Sequence, residues 1–496
     1  MKKLIIFISV ILILVIAYFV GQSIATNKVE KALAKEIDFE EVDVSLWSGK
    51  LEVKQPTYQK NNSVIKSDKA QISGFSYYQF LVNDKIEIDR LLIDDAVVNI
   101  QQNKEKDSSE NSSSKKFNKN VVVKKVELNG SLIYRQDSLK FLTAENFKIS
   151  IDSVGLNNET IKSKIPFNYK DFKVEISQVD YTLNQLQDLA VKYIELDPSK
   201  LVLKNIDYKP KLSKEDYIEV IPYEKDLMNL NLKQLTINNY DLKFQEDQPQ
   251  FTANYIELDS IDFWIYRDKT VKDDVRKKDM YSKMLREMKL KLAIDSLKVK
   301  NTHLDYQEMI NKNRAPGRIF FDNLNLSMYN VTNINLDRKD FPETHVDIQT
   351  KFMGKSNFDV DWDFKINDKN DVFTIKGQTF NIPESSINSF FVPAFGMRTE
   401  GEVSELYFNF RGNATQASGE LQIAYENFKV EVLKKDSDDK NTILSALANL
   451  IVKKNSKKNG ETTKNPKAVQ RDQTKSFWNY FWKCLEAGLR EALMIF

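Results

Sequence analysis

Three aspartates at alternate positions, Asp359, Asp361 and Asp363, could together do acid–base chemistry. Alternate residues of a β-strand point to the same face, so the three carboxylates would lie side by side. Apolar residues fill the positions between them, and a strand with one face in solvent has the same pattern. We therefore interpret the three aspartates as a solvent-facing surface and predict that the chain is not an enzyme.

Other residues that carry chemistry are scarce. The chain has two histidines, His303 and His345, and one cysteine, Cys484. A single cysteine rules out an intrachain disulfide and a cysteine-based metal site, and two histidines disfavour a histidine-based centre. The sequence also has no glycine-rich nucleotide-binding loop. We predict no catalytic residues, no metal site and no cofactor.

The composition indicates a folded, strand-rich chain without a basic surface. Its 496 residues include 73 Lys and Arg against 71 Asp and Glu, which leaves little positive charge for nucleic acid. The 30 Phe and 20 Tyr favour strands. With 14 Gly and 11 Pro, the chain is neither collagen-like nor a disordered linker. We predict no nucleic-acid partner.

Five stretches repeat one apolar spacing, and this repeat predicts the architecture. Two apolar residues at spacing two are followed, after a step of three, by a second such pair, as from Leu292 to Val299. Spacing two is typical of a strand with one apolar face, and a long array of such units predicts a repetitive β structure. The copies, two of them looser, begin at Ile86, Val121, Ile194, Leu230 and Leu292.

An antiparallel sheet with one apolar face must cover that face. Curling the sheet into a trough would do so in part and would leave an apolar groove. We therefore predict a mainly β fold with an elongated, curled antiparallel sheet and few short helices. The candidate groove residues, each of which could equally be ordinary core, are Ile88, Val123, Leu232, Ile294, Phe358, Val360 and Trp362.

The first residues have the pattern of a membrane segment. Two lysines precede an apolar run from Leu4 to Val20, which is about the length that spans a bilayer. The positive-inside rule places such an N-terminus in the cytoplasm and the rest of the chain across the membrane. A cleaved signal peptide is the alternative, but residues 23–25 make a poor cleavage site and the run is long. We predict an uncleaved single-pass anchor within residues 1–26.

The region from 27 to 340 is predicted to hold the repeated strands. It opens with a hairpin, because the apolar alternation from Val42 to Val53 is interrupted by a Gly-containing turn. A polar, low-complexity stretch at 102–120 is predicted to be a flexible insert. Short helices are predicted at 184–191 and 271–287.

The rest of the chain is predicted to form a β meander from 341 to 436 and a helical region from 437 to 496. The helical region contains an apolar helix at 443–452, a Lys/Asn-rich linker and a terminal amphipathic helix with Ser476 as N-cap. The wide apolar arc of the terminal helix must be buried, either at a membrane interface or as a lid over the protein's own β core. Its candidate membrane or partner contacts are Phe477, Trp478, Phe481, Trp482, Leu485 and Leu489.

A lysine-flanked span, a strand–Gly turn–strand opening at Val42–Val53 and repeated strand units follow one another in this chain. The closing blocks Phe395–Phe408 and Ala417–Val430 add a run of Gly, strand, small residue with Gly, and strand. This order resembles the AsmA-like family of envelope proteins, and most closely its members with the domain of unknown function numbered 748. The chain departs from the family in being short and in its polar insert at 102–120.

The resemblance implies a repeating β-groove fold anchored in the bacterial inner membrane, with the bulk of the chain in the periplasm. It also implies a role in moving phospholipid towards the outer membrane or in maintaining that membrane, with envelope proteins as partners of the C-terminus. The family has no catalytic residues to carry over. The alternative is a structural or assembly factor for outer-membrane proteins, which would recruit its clients through exposed strand edges.

Overall fold

A computed structural model of the chain describes residues 37–45, 47–60, 63–101, 120–136, 141–162, 165–245, 248–433 and 468–493, with short stretches at 33–34, 456 and 462–464. The fold is mainly β, with 62% of the described residues in strands. The chain divides into two compact units, the first ending at Asp207 and the second beginning at Tyr208. Strand β11 (Lys200–Pro210) contains the boundary.

The first unit holds ten strands and one helix among its described residues. Short strands come first and long strands follow, which matches the longer apolar repeats after residue 85. A 3-10 turn at Thr160–Lys162 follows β8. The elements are β1 (Glu41–Ser45), β2 (Lys50–Lys54), β3 (Thr57–Lys60), β4 (Ser63–Lys66), β5 (Lys69–Ser73), α1 (Tyr77–Asn83), β6 (Lys85–Gln101), β7 (Asn120–Arg135), β8 (Phe141–Leu156), β9 (Asp171–Thr182) and β10 (Gln187–Leu196).

The predicted opening hairpin is confirmed. Strands β1 and β2 pair antiparallel, with Val42 opposite Val53 and Val44 opposite Leu51. The turn requires its glycine, because Gly49 has φ +57° and an added Cβ would lie 2.8 Å from the backbone nitrogen of Phe75. From β2 the sheet continues through β5, β6, β7, β8 and β9 to β10, and β3 and β4 join it beside β6.

The core of the first unit consists of apolar rows that cross the strands in register. One row runs through Leu51, Ile72, Leu91, Val126 and Ile151, and each residue lies opposite the next. Side chains opposite one another on a sheet face pack together, so each row adds to a continuous apolar surface. All five of these residues are buried or partly buried against the first hydrophobic core.

The second unit contains longer strands, four helices and the described C-terminal residues. Its elements are α2 (Lys214–Val220), β12 (Leu227–Gln245), β13 (Gln248–Asp268), α3 (Tyr281–Arg286), β14 (Lys291–Met309), β15 (Gly317–Thr332), β16 (Thr344–Phe352), β17 (Ser356–Phe364), β18 (Phe373–Ile382), α4 (Glu384–Phe395), β19 (Met397–Gly412), β20 (Gln416–Val432), β21 (Thr462–Lys464), β22 (Val469–Gln470) and α5 (Phe477–Leu493).

The predicted meander of the second unit is confirmed, and a parallel pair precedes it. Strands β14 to β20 pair antiparallel in chain order, and β21 and β22 add to β20. Strand β12 pairs antiparallel with β13, whereas β13 and β14 are parallel. Parallel neighbours need a crossover connection, and residues 269–290 provide it. We call this stretch the crossover segment.

The changes of spacing in the apolar repeat coincide with β-bulges. In β14 the pairing register shifts after Val299, where Asn301 has φ +52°. In β6 the register shifts after Ile93, where Asp95 has φ +51°. A bulge inserts one extra residue and bends the strand, so apolar residues on both sides of it stay on one face. Asn and Asp tolerate the left-handed conformation better than most residues, which explains their presence there.

Three predictions about the fold are wrong. The sheet is mixed rather than antiparallel, since β6–β7 and β13–β14 are parallel, and it is neither closed nor strongly curled. The predicted helix at 184–191 is instead a turn followed by β10, whose apolar side chains pair with those of β9. The predicted helix at 271–287 is helical only from Tyr281 to Arg286. Its first half forms backbone hydrogen bonds with other segments, such as the 2.8 Å bond from Lys278 N–H to Gln473 O.

Several predicted elements fall outside the described residues. They are the membrane anchor, the insert at 102–120 apart from Asn120, and the apolar helix at 443–452. Ahead of β1, the Ile37 N–H donates to Leu33 O at 2.9 Å. Within the described part of the chain, no helix combines the length and apolar character needed to cross a membrane.

Candidate functional site: the apolar face of the second unit

The second unit has one continuous apolar face. The alternating residues of β12 to β17 place apolar side chains opposite one another on this face and polar side chains on the other. One row contains Leu235, Leu258, Val299, Leu326, Ile348 and Val360. A second row, which we call the open strip, contains Leu230, Phe263, Leu304, Phe321 and Phe352.

All five side chains of the open strip are partly exposed. The Phe321 ring lies 5.7 Å from the Phe352 ring and 6.4 Å from the Phe358 ring, so the strip continues onto β17 as an aromatic surface. Contiguous exposed apolar surface is uncommon in folded proteins and marks binding sites for apolar ligands, membranes or partners.

A polar cluster flanks the open strip on the same face, beside β12 to β14. Beyond Phe263 on β13 comes Arg267, whose guanidinium forms two 2.6 Å bonds to the Asp226 carboxylate. Beyond Leu304 on β14 comes Tyr306, whose hydroxyl donates to the Glu308 carboxylate. Burial raises the pKa of the Tyr306 hydroxyl, which therefore stays protonated as a donor. Along β13 and β14 the face thus changes from apolar to charged within four residues.

Helix α5 covers the other part of the apolar face, over β17 to β20. Phe477 is 2% exposed and stacks on Trp362, with ring centroids 4.6 Å apart and planes at 14°. Phe477 also meets the Phe373 ring edge-on at 5.2 Å, and Phe481 lies 5.3 Å from the Phe408 ring. Offset and edge-on aromatic pairs add stabilisation beyond the area they bury.

Local sequence explains how α5 begins and how closely it packs. The backbone N–H of Asn479 donates to Ser476 Oγ at 3.3 Å, which confirms the predicted N-cap. Near the other end of the helix, a Cβ added to Gly488 would lie 2.7 Å from the Leu421 Cβ. Glycine at this position therefore permits the close approach of α5 to β20.

The crossover segment reaches the same part of the face. Its helix α3 places Tyr281 against the Trp362 ring at 5.8 Å and the Phe477 ring at 5.9 Å. The Arg286 guanidinium donates to Ile366 O at 2.8 Å and to the buried Asp371 carboxylate at 2.9 Å. These bonds hold the crossover segment against the turn between β17 and β18.

A buried carboxylate joins the C-terminal residues to the crossover segment. Glu224 forms an ion pair with Lys269 at 3.0 Å and accepts a hydrogen bond from Lys475 at 3.1 Å, and its side chain is 7% exposed. Burial acts to raise the pKa of Glu224, but the hydrogen bonds and charges of the two lysines outweigh burial and lower this pKa below its ordinary value. The residues that lead into α5 are therefore held by a charge-assisted contact as well as by packing.

The predicted groove residues occupy different environments. Ile88 and Val123 are fully buried in the core of the first unit, and Leu232, Ile294 and Val360 are buried in the second. Trp362 is buried under Phe477, and Phe358 is partly exposed beside the open strip. Apart from Phe358, the exposed apolar residues were not among the predicted groove residues. Leu230 and Leu304 belong to the repeat, but only strand register shows that they share a row with three phenylalanines.

The predicted contacts of the terminal helix divide between its two sides. Phe477 is buried, and Phe481, Leu485 and Leu489 are partly buried against the β core. Trp478 is 47% exposed and Trp482 is partly exposed, so both indoles reach solvent. The helix thus lies as a lid on its own β core and leaves two tryptophans on its outer side.

The opposite, polar face carries the three aspartates. Asp363 contacts His345 Nδ1 at 2.6 Å, and Asp361 lies across from Asp347. Burial raises the pKa of Asp347, and the facing Asp361 carboxylate raises it further. Within the described ranges, no set of three or more His, Cys, Asp or Glu residues is placed to hold a metal ion.

No protein-family model matches the sequence, and no curated protein matches it. The resemblance to AsmA-like proteins therefore stays a prediction from the sequence pattern.

Proposed function

We propose that this chain is a bacterial envelope protein of AsmA-like type that binds phospholipid acyl chains on the open strip. In this proposal the predicted span anchors it in the inner membrane, the bulk of the chain is periplasmic, and it conducts lipid in the upkeep of the outer membrane. The observation that supports the proposal is the row of partly exposed apolar side chains from Leu230 to Phe352.

The dimensions of the open strip suit an acyl chain. Five neighbouring strands at ~4.8 Å spacing give a strip about 20 Å long. One leaflet of a bilayer has an apolar thickness of about 15 Å, so a single acyl chain fits across these strands. Each methylene removed from water would contribute about 0.8 kcal/mol. Hydrophobic contact is non-directional, which permits a chain to slide along the strip without losing a specific bond.

The polar cluster gives the strip a charged side along β12 to β14. Asp226, Arg267, Tyr306 and Glu308 would lie beside a head group while the acyl chain covers Phe263 and Leu304. Helix α5 limits the strip in the direction of β17 to β20, because it already occupies the face over Trp362 and Phe408. In this proposal bound lipid therefore lies over β12 to β16.

The test is lipid mass spectrometry on the full chain, expressed in a bacterial envelope and purified in mild detergent. Adjacent residues of β17 provide a matched pair of variants. Phe358 lies on the apolar face beside Phe321, whereas the exposed Asn357 lies on the other face opposite Lys351. We expect near-stoichiometric phospholipid in the wild type and in Asn357→Asp, and a large loss in Phe358→Asp with unchanged circular dichroism.

A folded wild-type chain without phospholipid would refute the proposal. Outer-membrane proteins recovered with that lipid-free chain would support the assembly-factor alternative. Equal lipid in the two variants would mean that lipid binds elsewhere than on the open strip.

A further inference from the structure

One end of the first unit carries a second exposed apolar surface. It consists of Trp47, in the turn between β1 and β2, and helix α1, which joins β5 to β6. Because β2 and β5 pair antiparallel, the start of β2 and the end of β5 lie at the same end of the sheet. The two connections touch there, since Phe75 N–H donates to Gly49 O at 3.3 Å and the Phe75 ring lies 5.1 Å from the Tyr77 ring. We call this surface the aromatic end.

The aromatic end leaves several large apolar side chains exposed to water. Trp47 is fully exposed, and the exposed fractions of Tyr78, Leu81 and Val82 are 67%, 77% and 62%. None of the seven residues of α1 is buried. Phe80 is partly buried, and four other residues of the helix, Tyr77, Tyr78, Leu81 and Val82, are aromatic or aliphatic and exposed. A helix normally buries an apolar stripe against its own protein, so the outward side of α1 is suited to a partner.

Charge does not explain this exposure. Helix α1 has no charged residue within Tyr77–Asn83. The lysines at its borders are paired with carboxylates of their own strands, Lys50 with Glu52 at 2.8 Å and Lys85 with Glu87 at 3.1 Å. A partner of the aromatic end would therefore be recognised by apolar and aromatic contact rather than by charge.

We infer that the aromatic end docks into the interfacial layer of a lipid bilayer. Trp and Tyr are enriched at membrane interfaces because their rings are apolar and their N–H and O–H groups remain hydrated, and Leu and Val beside them reach the acyl region. The inference rests on the membrane anchoring that is part of the proposed function. The anchor predicted within residues 1–26 is followed by residues 27–32 before Leu33, which packs in the first core, and six residues reach at most about 22 Å. The first unit is therefore tethered close to a bilayer.

The experiment places an environment-sensitive fluorophore at the aromatic end of the full chain in neutral phosphatidylcholine vesicles. Leu81→Cys introduces the labelling site, and Asp180→Cys, exposed on β9 towards the other end of the first unit, is the matched control. The native Cys484 is buried, and burial raises its pKa to about 12, so it stays unlabelled at neutral pH. Quenching by lipids brominated on the acyl chain is compared with quenching by iodide in the water.

We expect the label at position 81 to be quenched by brominated lipid and to be several-fold less accessible to iodide than the label at 180. Adding Tyr78→Asp to the labelled Leu81→Cys chain should abolish that difference, and anionic lipid should not be needed. A chain that floats with the vesicles but has equal iodide quenching at 81 and 180 would overturn the docking inference alone. A chain that does not float would overturn the anchoring and the docking together. If the label at position 81 were protected from iodide but not quenched by brominated lipid, the docking on lipid would be refuted, and a protein partner would cover the aromatic end.

Discussion

Replacing Phe477 by alanine should release helix α5 from the sheet. Phe477 is 2% exposed, and its ring lies within 6 Å of the Trp362, Phe373 and Tyr281 rings. Truncating a buried phenylalanine typically costs about 3–5 kcal/mol, because it removes apolar burial and leaves a cavity. The cavity here would open between α5, α3 and β17, so the loss should weaken both covering segments.

Trp478 provides the matched control because it is the next residue of α5 and is 47% exposed. Its half-exposed indole meets the rings of Trp362, Phe477 and Phe481 edge-on, at 5.9, 5.4 and 6.5 Å, so Trp478→Ala should cost about 1 kcal/mol, less than the loss of the buried Phe477 ring. Both substitutions leave the N-cap at Ser476 intact, and alanine favours the helix in both. The two variants therefore compare burial and not helix propensity.

Native-state hydrogen exchange measures this effect where it occurs. The amide protons of α5 should exchange roughly a hundredfold faster or more in Phe477→Ala, since each 1.4 kcal/mol is a tenfold change in the opening equilibrium. In Trp478→Ala the change should be tenfold or less. If both variants changed exchange in α5 equally, the stack on Trp362 would not be what holds the helix in place, and the reasoning would be refuted.

Two further substitutions follow from the described contacts. Gly49→Ala should lower stability by about 1–3 kcal/mol, because φ is +57° and the new Cβ would lie 2.8 Å from Phe75 N; thermal unfolding measures this, and an unchanged midpoint would contradict it. For Glu224, whose pKa is lowered in the folded state, the contact with Lys269 and Lys475 stabilises the protein above the ordinary pKa of 4.5 and is lost as the pH falls through the lowered value. The protection of α5 from protease should therefore fall in acid in the wild type, whereas in Glu224→Gln it should not change with pH. If the protection of both proteins had the same pH dependence, Glu224 would not be the group that holds the residues leading into α5.

The positions of strands could be predicted from the sequence because the alternation of apolar and polar residues is a pattern of residues that are adjacent along the chain. The alternation from Val42 to Val53 predicts both strands and their turn, and the structure pairs the two strands with Val42 opposite Val53. Spacing alone did not predict the bulges, since the conformation of Asn301 depends on partners across the sheet. Its N–H bonds to Asn325 Oδ1 at 3.2 Å and its side chain to Asp259 at 2.8 Å, and both partners are distant in sequence.

Pairing partners were beyond prediction for the same reason. Nothing local distinguishes a strand with a parallel neighbour, and β13 and β14 carry the same alternation as antiparallel strands elsewhere. The helix predicted at 184–191 failed because Leu189 and Val191 pair with Tyr181 and Val179 of β9, and tertiary pairing overrides local propensity. The period of α5 predicted its amphipathic form, but not that Trp362 would lie beneath it.

The open strip could be predicted only in part. The repeat places Leu230 and Leu304 on apolar faces, and it does so equally for buried residues such as Leu232 and Ile294. What distinguishes Ile294 from Leu304 on the same strand is the packing around each residue. Ile294 belongs to the second hydrophobic core, which also contains Met280 of the crossover segment, whereas Leu304 lies outside that core. Exposure is thus a property of the packed unit and is not encoded in the spacing of any one strand.

The position of α5 at the end of the chain has a consequence for biosynthesis. Synthesis proceeds at roughly 5–20 residues per second, so β17 to β20 are complete several seconds before the residues of α5 emerge. During that interval Trp362, Phe373 and Phe408 have no lid, and the newly made sheet presents its most aromatic surface to the cell. The chain should therefore depend on a holding chaperone late in its synthesis, and a truncation before Phe477 should aggregate even though every strand of the meander is present.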